Sequence, residues 1–72
     1  MSYDYSKLRG KIVEKFGTQQ AFALAMKWSE RTLSLKINGK RFWNQADIEQ
    51  ASQLLEIQTE EVADYFFNQN VQ

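Results

Sequence analysis

Seventy-two residues, 43% apolar and 25% charged, describe one small globular domain rather than a disordered or multidomain chain. With no Cys and no His, the sequence excludes disulfides, thiolate metal sites and the commonest catalytic base and metal ligand. The net charge is zero, yet residues 1–43 hold all nine Lys and Arg against Asp4, Glu14 and Glu30, a balance of +6. Residues 44–72 hold six carboxylates and no cation, a balance of −6. A division of that kind offers one face to a polyanion and another to a cationic partner.

Taken in chain order, the apolar spacing is helical. Leu8, Ile12, Val13 and Phe16 make one stripe, with Ser6 placed to cap its start and Gly17 to end it. Thr18 opens a second helix with Phe22, Ala23 and Met26 inward. Lys27 and Trp28 form a short connection, and Trp28 is expected in the core. Ser29 caps a third helix with Glu30 in its first turn, Leu33 and Ile37 on one face, and Asn38-Gly39 closing it. A basic-aromatic loop, Lys40 to Trp43, leads to Asn44, the cap of a fourth helix carrying Asp47 three residues on and Ile48, Ala51, Leu54 and Leu55 inward. Thr59 is expected to cap a fifth helix beginning Glu60-Glu61, with Val62, Tyr65 and Phe66 inward. Residues 68–72 are expected to fray. The pattern predicts a single all-α domain over 1–72. No run reaches 18 apolar residues and the start has no signal-peptide core, so a cytoplasmic protein away from membranes is expected.

Residues 19–39 carry the functional signal. Two short helices joined by so tight a turn cross steeply, and the second stands out as a ridge. Its free side bears Glu30, Arg31, Thr32, Ser34 and Leu35, and a helix of that width fits the DNA major groove. The ordered set Gln19, Ala23, Trp28, Leu33 and Asn38-Gly39 resembles the helix-turn-helix of lambda-repressor-like and Cro-like regulators. With YDYSKLRGKI near the start and EEVADYFF near the end, nearly the whole chain is similar to short Cro-like proteins of phages of Gram-positive hosts. That group includes modulators of repression.

The resemblance implies a compact five-helix lambda-repressor-like fold with the motif on helices 2 and 3. It also implies a transcriptional regulator of a lysis–lysogeny switch that binds operator DNA through helix 3, acting as a dimer. Carried over residue by residue, Glu30, Arg31 and Leu35 face base edges with Thr32 and Ser34 beside them. Arg31 is suited to a bidentate bond to guanine and Leu35 to a thymine methyl. Gln19 at a helix start, with Asn38, Lys40 and Arg41 at the other end, would hold phosphates. Two positions depart from the family pattern: Lys27 stands where the turn usually has Gly, and Lys36 where an apolar residue is common. The alternative is an antirepressor that binds the phage repressor protein. Zero net charge, Glu30 on the ridge and the aromatic residues Phe42, Trp43, Tyr65 and Phe67 motivate it, the last four being candidate partner or dimer contacts. Neither reading calls for a metal or cofactor. Catalysis is not expected, because Glu60 and Glu61 are neighbours that point apart on a helix and no His, Cys or phosphate loop accompanies them.

Overall fold

A computed structural model describes residues 3–69. Its elements are α1 (Ser6–Phe16), α2 (Gln19–Met26), α3 (Glu30–Ile37), α4 (Gln45–Leu55), a 3-10 turn (Thr59–Glu61) and α5 (Val62–Phe66). All regular structure among the described residues is helical. The one extended pairing is an antiparallel bridge between Tyr3 and Gln69, beside which the Asp4 amide donates to the Asn68 carbonyl at 2.6 Å. Of the tail expected to fray, Asn68 and Gln69 thus lie alongside the start of the chain, and 70–72 fall outside the described residues.

The core takes Leu8 and Ile12 from α1, and Phe22, Ala23 and Met26 from α2. Leu33 and Ile37 come from α3, Ala51 and Leu55 from α4, and Tyr65 and Phe66 from α5. Burying one Leu, Ile or Phe side chain is worth about 1.5–3 kcal/mol, so these side chains supply the driving force that a chain without staples requires. Val13 departs from the expected stripe and stays half exposed, because it lies about 100° round from Ile12 while Leu8, Ile12 and Phe16 keep the four-residue spacing.

The helix ends explain the sharp turns. Thr18, Ser29 and Asn44 each accept a backbone hydrogen bond at the start of α2, α3 and α4, and Asn44 with Asp47 completes a capping box. The expected Ser6 cap is corrected: Ser6 is already helical, and its amide donates to Asp4 Oδ1 at 2.8 Å. The Ser6 hydroxyl and amide, aided by Arg9, hold the Asp4 carboxyl below its usual pKa. Thr59 is likewise not a cap. Glu61 Oε1 accepts the Gln58 amide at 3.2 Å, and Thr59 begins a 3-10 turn ahead of a five-residue α5.

Helices α2, α3 and α4 end in one motif. The residue in left-handed conformation is Lys27 (φ 64°), Gly39 (φ 76°) and Glu56 (φ 57°) respectively. In each, the next amide reaches back five residues: Trp28 to Ala23, Lys40 to Leu35, Ile57 to Ser52. These are Schellman closures, and in α2 and α4 they place an apolar residue just past the helix where it can fold back on it. Ile57 is buried there and Trp28 packs against the core while half buried. The Lys27 departure from Gly therefore leaves the turn intact, at a strain of about 1 kcal/mol.

Candidate partner-binding surface

The residues expected to read DNA fall into two groups. Glu30, Arg31 and Ser34 are exposed along α3, while Thr32 and Leu35 are half buried. The Thr32 hydroxyl accepts from Ser29 Oγ at 3.0 Å, which ties it to the cap. Gln19 is half buried at the first position of α2. Asn38, Lys40 and Arg41 gather at the far end of α3, exposed, and Asn38 is held from two sides. Its Oδ1 accepts from Arg9 of α1 at 3.3 Å and its Nδ2 donates to Ser34 Oγ at 3.3 Å. Arg9 was missed from the sequence, since nothing in the spacing of α1 signals that it reaches the end of α3.

The loop after α3 is held by Lys36. Its ammonium lies over the Trp28 ring, with Nζ 4.9 Å from the centroid, and donates to Asp47 Oδ2 at 2.7 Å and the Phe42 carbonyl at 2.8 Å. The Lys36 and Asp47 side chains are only 11% and 15% exposed. Asp47 also accepts the Asn44 amide, and Trp43 Nε1 donates to the Lys36 carbonyl at 3.1 Å. Lys36 thus departs from the family pattern by turning its charge inward, as a strut between α3, the loop and α4.

This bracing decides where the aromatic residues go. Trp43 is 9% exposed and Tyr65 6%, so neither is the surface contact anticipated from sequence. Trp43 is drawn in because its indole N–H has a carbonyl to satisfy and its ring meets Trp28, Tyr5 and Phe66 at centroid distances of 5.6, 6.2 and 5.1 Å. Tyr65 turns toward α1, beneath Lys7 and Lys11. Phe67, one residue past Phe66, is left half exposed, with Tyr3 edge-on to it at 5.7 Å. Phe42 is 93% exposed, although its backbone is pinned by Lys36. A pocket of about 270 Å³ lies among Tyr3, Tyr5, Arg41, Phe42, Trp43 and Phe67. Tyr3 and Tyr5 were not marked from the sequence, although a Tyr-x-Tyr repeat just ahead of the first apolar stripe was the available signal.

Folding also uses up much of the charge division. Lys7 faces Asp64, Lys15 faces Glu56 and Lys36 faces Asp47, each a cation of the basic half against a carboxylate of the acidic half. Among the described residues, Arg9, Lys27, Arg31, Lys40 and Arg41 make no ion pair. The surface at the end of α3 therefore combines exposed aromatic area with cations that have no ionic partner.

Residues 1–69 match the family described as "Protein of unknown function (DUF739)", and the chain belongs to that family. It is similar to a solved protein, the modulator of repression (MOR) of the temperate bacteriophage TP901-1 from Lactococcus lactis. The two are 53% identical over 100% of this chain and 97% of that one, with a TM-score of 0.83. No curated protein matches the chain. Among the described residues, no helix is long and apolar enough to cross a membrane.

Proposed function

We propose that the protein modulates repression in a phage genetic switch by binding a repressor protein and altering that repressor's hold on its operator. The observation that carries this reading is full-length similarity, at 53% identity, to a phage modulator of repression. The surface fits the task. Phe42 projects from a braced loop, Tyr3 and Phe67 extend the apolar area, and Lys40 and Arg41 supply a polar, cationic rim. An aromatic anchor with a charged rim is the usual composition of a protein-binding centre. The protein then acts by occupying the repressor, and nothing in the reaction requires chemistry from its own side chains.

The test is titration calorimetry of the purified protein against the repressor encoded with it. The expected result is saturable binding that lowers the repressor's affinity for operator DNA in a gel shift. Absence of heat and of co-elution at micromolar concentration would remove the reading.

Direct operator binding is the second reading. It rests on Arg31, Lys40 and Arg41 lying exposed on and after α3 with no ionic partner among the described residues. Its signature is a gel shift by the protein alone that weakens steeply with salt, and a loss of about 1–3 kcal/mol in Arg31→Ala if that residue reads a guanine.

A further inference from the structure

The aromatic loop has a complementary surface on the same molecule. Between α4 and α5 runs a groove of about 500 Å³, floored by Trp43, Ile48, Val62 and Phe67. Its rim carries Glu49, which is exposed and has no ion pair among the described residues. An apolar trough with an acidic edge calls for an apolar side chain flanked by cations. The braced loop offers that combination in Lys40, Arg41 and Phe42.

Loop and groove adjoin each other, because Trp43 and Phe67 line both the groove and the pocket beside Phe42. One two-fold axis passing close to Phe67 can therefore satisfy both insertions together, as an isologous dimer requires. We infer that Phe42 of one copy seats in the α4–α5 groove of a second copy, with Arg41 against Glu49, and that the exchange is reciprocal. The area needed is modest. An interface of about 1,000 Å² in total takes about 500 Å² from each copy, a tenth of the 4973 Å² surface. A patch of that size gives a weak, reversible dimer. The pairing stands independently of the repressor reading. Joined to it, it makes self-association compete with repressor for Phe42 at high protein concentration.

Sedimentation equilibrium of the full chain alone, from micromolar to millimolar concentration, tests this. The average mass should climb from 8.5 kDa toward twice that value. Phe42→Ala should hold it at the monomer value, with unchanged helical circular dichroism because the side chain is exposed. Arg41→Glu should also abolish association, and the double variant Arg41→Glu/Glu49→Arg should restore it. The inference is overturned by a wild-type chain monomeric at every concentration, by association that persists in Phe42→Ala, or by a double variant that stays monomeric. The repressor titration contains a second macromolecule and this experiment does not, so either reading can fail while the other holds.

Discussion

The α1 lysines and the cations at the end of α3 come from the same basic half of the chain and meet opposite fates. On α1, Lys7 and Lys15 lie across from Asp64 and Glu56, and Lys11 from Glu14. After α3, Lys40 and Arg41 face solvent beside Phe42. The contrast arises from topology. α1 packs against the C-terminal helices, which carry the carboxylates, whereas the loop leaves the core before the acidic half begins. Even the ion pair that spans the loop, Lys36 of α3 with Asp47 of α4, serves to aim it outward. Net charge is therefore a poor guide to what this protein meets. Of the cations without an ionic partner among the described residues, Lys40 and Arg41 lie together just past α3, with exposed aromatic surface beside them.

The comparison breaks most visibly at Phe42. If the loop is the working edge, Phe42→Ala should weaken repressor binding by about 2–4 kcal/mol, the scale of a central anchor. Calorimetry would read that as a loss of one to three decades in affinity, with the melting temperature unchanged. Lys36→Ala should cost about 2–3 kcal/mol of folding stability, since it strands Asp47 in a mostly covered site. That would appear in urea denaturation as a lower midpoint, together with weaker partner binding as the loop loses its brace. Lys27→Gly acts away from both regions, and Glu56→Gly removes only the exposed carboxylate opposite Lys15. Each relieves a left-handed side-chain residue and should gain about 0.5–1 kcal/mol, a rise of several degrees in melting temperature. The smallest effect belongs to α1: Lys15→Ala should change stability by no more than about 0.5 kcal/mol, because its pairing with Glu56 is solvent-exposed. A large loss there would erase the distinction between the two regions.

Sequence reading recovered most of the fold because its signals are local. Thr18, Ser29 and Asn44 cap by short-range geometry, and Leu33 with Ile37 or Ala51 with Leu55 mark their faces by spacing alone. The places where it erred depend on distance. Trp43 and Phe42 are adjacent in one loop, and no periodicity says that one ring enters the core while the other leaves it. That choice is made by Lys36 and Asp47, 11 residues apart. Lys36 stood out in sequence only as a charge at an apolar position for the same reason, since its partner lies on another helix. Ser6 and Thr59 show the limit even of local rules, because the bonds that form there come from Asp4 and from Glu61, two residues to one side or the other.

The bridge between Tyr3 and Gln69 brings the two ends of the described chain side by side, next to the Phe67 ring. Any polypeptide fused before the one or after the other therefore sets out from the edge that carries Phe42. An affinity handle at either end would stand over the surface whose binding it is meant to report. A label on the outward side of α1, for instance at Val13, keeps clear of it.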